Sequence, residues 1–127
     1  MTNELWRKSA LDLAEGIRSK KFSSREVVDA HLARIDEVNP KVNAIIRVMA
    51  DEARTGADAA DKALAQGGPI GPLHGVPYTV KINIDVAGQA TTQGITALAE
   101  ATPAIDAPTI ERMRASGAIM LGRTNMP

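Results

Sequence analysis

A single lysine in the middle of the chain is the side chain best suited to chemistry. Lys81 follows a Gly/Pro-rich loop that ends at Pro77, and it lies within a short run rich in β-branched residues. Because side chains alternate between the two faces of a strand, the pattern predicts an apolar face with Val80, Ile82 and Ile84. Lys81 falls on the opposite, polar face. A charged amine is therefore expected directly beside a predicted core segment.

The residues alone leave two interpretations of Lys81 open. On the first, the polar face is wet and Lys81 is an ordinary solvated amine, as most lysines are. On the second, polar groups hold the lysine inside the protein, where desolvation keeps part of its population as the neutral amine. A neutral amine can act as a base, so only the second interpretation leads to catalysis.

Four motifs around this lysine occur in a fixed order. They are Gly71-Pro-Leu-His-Gly-Val-Pro77, Val80-Lys81-x-Asn83-Ile84-Asp85, Ala87-Gly88-x-x-Thr91-Thr92-x-Gly94 and Gly122-Arg-Thr-Asn-Met-Pro127. In order and spacing they resemble the first part of an amidase signature family enzyme, and the similarity extends through the N-terminal helices. The sequence departs from the family at Ile82, where many members carry Asp.

This resemblance implies a mechanism for the family's reaction. Members hydrolyse a carboxamide with a serine nucleophile, a bridging serine in cis-peptide geometry and a lysine that accepts the proton. Carried over by its motif, Lys81 would be the catalytic base, and Met126 in the last motif is expected to contact substrate. None of the chain's five serines lies in a Gly/Ser-rich run, so neither serine role is assigned to them. They are Ser9, Ser19, Ser23, Ser24 and Ser116.

Composition excludes several other classes of function. Fifteen basic residues balance fifteen acidic ones without forming a basic stripe, so no nucleic-acid partner is expected. The chain has no cysteine, and His31 and His74 are far apart without carboxylates at ligand spacing. We therefore expect no metal and no cofactor. No apolar run approaches membrane-spanning length and no signal peptide is visible, so a cytoplasmic protein without a membrane partner is predicted.

Hydrophobic spacing and helix caps predict the order of the elements. Helices are predicted over about 3–19, with a capping pattern at Ser9 and Asp12; from the Ser23–Glu26 capping box to Asn39–Pro40; over 50–66; and from Asp106 and Pro108 to Ser116–Gly117. Strands are predicted over 42–49, at the lysine and over 118–121. Strands that alternate with helices favour an α/β fold with helices packed on a mixed β-sheet. The loop 85–94 is expected either to shape a pocket edge or to be a purely structural turn.

The same pattern suggests an incomplete domain. Three short strands with about four helices cover one another poorly, and the family resemblance implies a chain several times longer. Residues 1–127 are therefore interpreted as an amino-terminal fragment, with N-terminal helices over 1–40 and the lysine-bearing segment over 41–127. The fragment alone is expected to be inactive. A homo-oligomer or a companion chain that carries the remainder is a further expectation.

Three functions remain open from the sequence. The first is an amidohydrolase acting on a small-molecule amide, which His74 in the Leu-His-Gly-Val-Pro motif favours. The second is the A subunit of an amidotransferase that works on misacylated transfer RNA, because that branch of the family shares the same lysine and serines. The third is a non-catalytic fragment or interaction piece, which the absence of a serine pair supports.

Overall fold

The computed structural model describes residues 2–127 of the chain and the side chains of residues 4–127. Four α-helices and three strands follow one another along the described residues. They are α1 (Ala10–Arg18), α2 (Ser24–Val42), β1 (Ile45–Val48), α3 (Ala50–Ala65), β2 (Pro77–Lys81), α4 (Pro108–Ala115) and β3 (Ile119–Thr124), with short 3-10 helices at Thr2–Arg7 and Thr96–Leu98. This order confirms the predicted α/β class.

The sheet is mixed and has β3 at its centre. Strand β1 pairs with β3 antiparallel, β2 pairs with β3 parallel, and the strand order is β1-β3-β2. The approach of β1 to β3 requires a glycine, because a side chain at Gly122 would overlap the carbonyl oxygen of Arg47. Helices α2 and α3 pack on each other, and α3 also packs on β3, so the helices cover the sheet as predicted.

The capping patterns predicted at Ser9 and Ser23 are confirmed at the starts of α1 and α2. The Ser9 hydroxyl accepts a hydrogen bond from the Asp12 N–H, and α1 begins directly after it. At α2, Ser23 and Glu26 form a complete capping box. A carboxylate from α3 adds a second cap, since Asp61 accepts the Ser24 N–H at 2.7 Å and the next N–H along the helix at 3.0 Å. These bonds satisfy N–H groups that a helix start otherwise leaves unpaired.

The predicted boundary between α2 and β1 is wrong. Helix α2 continues through Pro40 to Val42 and ends at Asn43, whose φ of 48° is left-handed. Pro40 lacks a backbone N–H, so one helical hydrogen bond is lost near the end of the helix. The helix is nevertheless closed by the Asn43 N–H, which donates to the Asn39 carbonyl at 2.7 Å. The Asn39 side chain then bonds both the N–H and the carbonyl of Ile45, which delays β1 to that residue.

Two other boundaries also differ from the prediction. Strand β3 continues beyond Leu121 to Thr124, because both neighbouring strands pair with its second half. Helix α4 begins at Pro108, but the Asp106 side chain does not cap it. That carboxylate instead accepts the Ala87 N–H at 2.8 Å and the Arg114 Nε–H at 2.9 Å. Asp106 therefore ties the long loop after β2 to the helix that follows the loop.

The core consists of three apolar clusters between the helices and the sheet. One lies under α1 and the start of α2, one between α2 and α3, and one beneath α4 at β2. Their buried members include Leu13, Ile17 and Val27; Val28, Leu32, Ala57 and Leu121; and Val80, Val86, Ile110 and Met120. Within residues 2–127, no helix is both long and apolar enough to cross a membrane.

Candidate active site

Lys81 is the last residue of β2, at the carboxyl end of a parallel strand pair. It lies opposite Thr124 of β3, and the following N–H, that of Ile82, donates to the Thr124 carbonyl at 2.9 Å. Ligands of open sheets with helices on their faces commonly bind outside the carboxyl ends of the strands. The local topology therefore puts the lysine at the end of the sheet where ligands of such folds commonly bind.

A tight turn ends β2 directly after the lysine. The Ile84 N–H donates to the Lys81 carbonyl at 3.1 Å, so the predicted strand alternation stops at Lys81 and does not continue to Ile84. Val80 and Ile82 are nonetheless both buried, as the alternation predicted. Lys81 itself is half-buried, and its amine has no hydrogen bond or ion pair with any described side chain. The lysine is thus held by its backbone, with its amine available to other groups.

An open depression of about 470 Å³ lies beside this amine. Lys81 and Met126, the two residues singled out from the sequence, both line it. Asn125 holds the C-terminal segment in place, because its N–H donates to the Ala44 carbonyl at 2.8 Å and its side chain donates to the Asn43 carbonyl at 3.2 Å. Its Oδ1 also accepts the Met126 N–H at 2.9 Å. The fold therefore brings together residues that are 45 positions apart in sequence.

The loop 85–94 reaches the same region through its last residue. A side chain at Gly94 would lie 3.5 Å from Cγ of Met126. Within the loop, the Thr91 hydroxyl donates to the Asp85 carboxylate at 2.7 Å, and Thr91 is buried. The loop thus has an internal framework, and one of its ends borders Met126.

Arg123 is a site residue that the sequence reasoning missed. Its side chain is fully buried and passes beneath the turn after Lys81. Nη2 donates to the Ile84 carbonyl at 2.6 Å and makes a longer contact of 3.5 Å with the Lys81 carbonyl, while Nη1 donates to Gln89 Oε1 at 3.1 Å. The available sequence signal was an arginine within an otherwise apolar strand that leads into a family motif.

Burial lowers the pKa of Arg123 from its ordinary value. The positive charge of Arg47 lowers this pKa further, and the Asp85 carboxylate partly opposes both effects. Nε of the same guanidinium is buried and has no partner among the described residues. The turn beside the lysine is therefore built around a charged group that is costly to desolvate.

Every serine hydroxyl in the chain already has a structural hydrogen bond. Two of them cap helices, two bond to carbonyls within three residues along the chain, and one crosses to a distant loop. The donors and acceptors are Ser9 with Asp12, Ser23 with Glu26, Ser19 with Gly16, Ser116 with Met113, and Ser24 with Gly75. All five serine hydroxyls therefore take part in contacts that hold the fold.

The two histidines also make backbone contacts. A ring N–H of His31 donates to the Val27 carbonyl at 2.7 Å, and one of His74 donates to the Ala60 carbonyl at 2.8 Å. His74 thereby links the Gly/Pro-rich loop to α3. The described residues include no cluster of three or more histidine, aspartate or glutamate side chains that could hold a metal ion.

A larger depression, of about 550 Å³, lies between the first 3-10 helix and α2. Its charged groups are already paired. Arg34 stacks on Trp6 at 4.3 Å from the ring centre and bonds Glu37, and Asp29 bonds two arginines. Despite its size, this surface offers no amine or hydroxyl free for acyl transfer, so the depression beside Lys81 is the stronger candidate site.

Comparison with known proteins identifies the family. The model of the family described as Amidase matches residues 26–127. The chain belongs to the amidase family. The resemblance stated from the motifs is thus confirmed, and so is the interpretation of the fold as part of the amidase signature fold.

Individual amidase relatives match nearly all of the chain. It is 43% identical to the indoleacetamide hydrolase of Bradyrhizobium diazoefficiens, over 97% of this chain and 24% of that protein. It is 37% identical to the acylamidase of Rhodococcus erythropolis, over 94% of this chain and 25% of that protein. It is also 41% identical to a component of the glutamyl-tRNA(Gln) amidotransferase of Acidothermus cellulolyticus, over 98% of this chain and 25% of that protein. The chain therefore spans about a quarter of the length of these amidase relatives.

A solved amidase structure shares the fold. A bacterial aryl acylamidase of the amidase signature family matches with a TM-score of 0.88 and 35% identity, over 94% of this chain and 25% of that one. The helices and mixed sheet described above therefore correspond to one part of a larger amidase.

Proposed function

We propose that residues 1–127 are the amino-terminal part of an amidohydrolase that cleaves a carboxamide to a carboxylate and ammonia or an amine. One observation carries this proposal. Lys81 ends a parallel strand beside an open depression, with its amine unengaged by the described side chains and with Met126 on the depression's wall. An unengaged amine at a substrate-accessible edge is what a base in acyl transfer requires.

In this proposal Lys81 is the proton carrier of a serine, cis-serine, lysine mechanism. Its neutral amine accepts a proton from the bridging serine, which in turn accepts the proton of the nucleophilic serine. The nucleophile forms an ester with the acyl carbon, the C–N bond breaks, and the lysine's proton passes back through the bridging serine to the leaving nitrogen. Water then hydrolyses the ester. We place both catalytic serines outside this chain, since its own five serine hydroxyls have structural hydrogen bonds.

We also propose roles for the two parts of the segment and a setting for the complete enzyme. Residues 1–40 supply helices that support the lysine-bearing part, residues 41–127, and Met126 contacts the substrate. The complete enzyme acts on a small-molecule amide in the cytoplasm without a cofactor, alone, as a homo-oligomer or with a companion chain. The 127-residue chain by itself is inactive, because it contains one of three catalytic groups.

A full-length enzyme containing this segment tests the proposal. Lys81→Ala should lower kcat by roughly 10²- to 10⁴-fold on its amide substrate, the usual share of general acid–base catalysis. Lys62→Ala, at an exposed position of α3, is the matched control and should keep full activity. Indoleacetamide and an aryl acylamide are the first substrates to try, given the relatives. Wild-type turnover in a folded Lys81→Ala enzyme would rule out Lys81 as the catalytic base.

The A subunit of an amidotransferase is the second candidate, favoured by the 41% identity to a protein of that name. That role would use the same lysine but deliver ammonia to a companion protein and a misacylated transfer RNA. Free ammonia release from a small amide without any partner supports the hydrolase. Turnover that requires a companion protein and transfer RNA supports the amidotransferase.

A further inference from the structure

The turn that follows Lys81 is held by a buried cation. Its two ends are the Lys81 and Ile84 carbonyls, and both lie against the same nitrogen of Arg123, at 3.5 and 2.6 Å. The turn is also closed by its own bond from the Ile84 N–H to the Lys81 carbonyl. The guanidinium therefore acts on the backbone from which the candidate base projects.

The other end of the guanidinium is anchored to the loop after β2. Nη1 donates to Gln89 Oε1, and the Gln89 amide in turn donates to Sδ of Met49 at 3.4 Å. Strand β3, the turn and the loop are thus joined through one side chain. A shift of Arg123 would release all of these segments together.

The stability of the fold alone does not account for an arginine at position 123. Arg123 is fully buried, yet among residues 4–127 it makes no ion pair, and the nearby Asp85 carboxylate bonds Thr91 instead. Replacing buried charges with apolar side chains of similar size is often neutral or stabilising. A buried cation solvated only by carbonyl and amide oxygens points to a role in geometry.

We propose that Arg123 is the positioning residue for Lys81. By fixing the Lys81–Ile84 turn, it sets the position and direction of the lysine side chain. This inference rests on the proposed function, because it assumes that Lys81 is the base. A general base must lie within hydrogen-bond reach of its proton donor. Displacement by about 1 Å costs roughly 10²-fold in rate. Arg123 does not touch substrate and acts only through the lysine.

The test is a double-mutant comparison in the full-length enzyme. Arg123→Met should lower kcat roughly 10²-fold with KM nearly unchanged. The combined Lys81→Ala and Arg123→Met enzyme should be no slower than Lys81→Ala alone, because a positioning residue has nothing left to position. A purely structural role predicts a further loss in the combined enzyme, and that result would overturn the inference.

A conservative variant provides the rescue. Both turn carbonyls lie near one nitrogen, so the ammonium of Arg123→Lys can serve them although the bond to Gln89 is lost, and its kcat should fall clearly less than that of Arg123→Met. Arg123→Gln is too short to reach Ile84 and decides the question if the methionine variant does not fold. Wild-type kcat in a folded Met or Gln variant refutes the positioning role.

Failure of the proposed function is distinguishable from failure of this inference. If Lys81→Ala retains turnover, the lysine is not the base and both ideas fall. If Lys81→Ala shows the expected loss of kcat while a folded Arg123→Met is fully active, only the positioning role is refuted. Arg112→Met, on the exposed face of α4, is the control for loss of one positive charge and should keep wild-type kcat.

Discussion

The Ser24 hydroxyl donates a buried hydrogen bond to the Gly75 carbonyl at 2.7 Å, across 51 residues of sequence. This bond joins the start of α2 to the loop that leads into β2. Gly75 has a φ of +77°, and its own N–H donates to the Gly117 carbonyl at 2.8 Å. The loop before the lysine strand is thus tied on one side to a helix and on the other to the segment that leads into β3.

Loss of the Ser24 hydroxyl should destabilise the fold. In Ser24→Ala the Gly75 carbonyl stays buried without that donor, so the free energy of unfolding should fall by about 1–3 kcal/mol. Urea unfolding measures this change. Ser19→Ala is the control, since its hydroxyl lies at an exposed helix end and its loss should cost no more than about 0.5 kcal/mol. Equal effects of the two substitutions would contradict the role given to Ser24.

A matched pair of glycines separates backbone strain from crowding. Gly75 and Gly88 have φ values of +77° and +78°, but a Cβ would lie 2.8 Å from the Ser24 hydroxyl at the first and meet nothing within 4 Å at the second. Gly88→Ala should therefore lower the free energy of unfolding by about 1–2 kcal/mol, because the left-handed backbone alone is strained by a side chain. Gly75→Ala should cost at least about 1 kcal/mol more, because the added methyl overpacks the site. Equal melting temperatures for the two variants would contradict the crowding at Gly75.

Asp29 should contribute an acid-sensitive part of the stability. Burial raises its pKa, but hydrogen bonds from Arg54 and Arg25 outweigh burial and hold the pKa below its ordinary value of 3.8. A carboxylate with a lowered pKa in the folded state stabilises the fold above its unfolded pKa, and this contribution disappears as pH falls through the folded pKa.

The measurement is the free energy of unfolding between about pH 5 and about pH 2. It should fall less steeply in Asp29→Asn than in wild type, because the asparagine carries no proton-linked charge. A wild-type slope in Asp29→Asn would show that the two arginine contacts do not lower the pKa of this carboxyl.

Met126 should affect substrate binding more than chemistry. It lines the depression beside Lys81 and borders Gly94, so its truncation to alanine removes apolar contact area without touching the proton carrier. In the full-length enzyme Met126→Ala should raise KM by about tenfold with kcat changed much less. Ile105→Ala, whose side chain is 78% exposed, should leave both parameters unchanged. An unaltered KM in Met126→Ala argues against substrate contact.

Local signals in the sequence were enough to determine most of the elements. The capping patterns at Ser9 and Ser23 begin α1 and α2 where predicted, because capping bonds form between residues only three apart. The run around Lys81 is typical of a strand because its neighbours Val80 and Ile82 are apolar, and both are buried. The motifs were also sufficient to predict the family, since their order and spacing can be read directly from the chain.

Only the tertiary structure decided how distant residues meet. Pro40 stays within α2 because hydrogen bonds of Asn39 and Asn43 hold the helix end. Helix propensities of single residues do not predict these contacts. Asp106 has capping chemistry, yet it bonds the backbone of a loop 19 residues earlier. The buried Arg123 and the meeting of Lys81 with Met126 depend on the pairing of β2 with β3. Such pairing joins positions far apart in the chain, so no local pattern in the sequence records it.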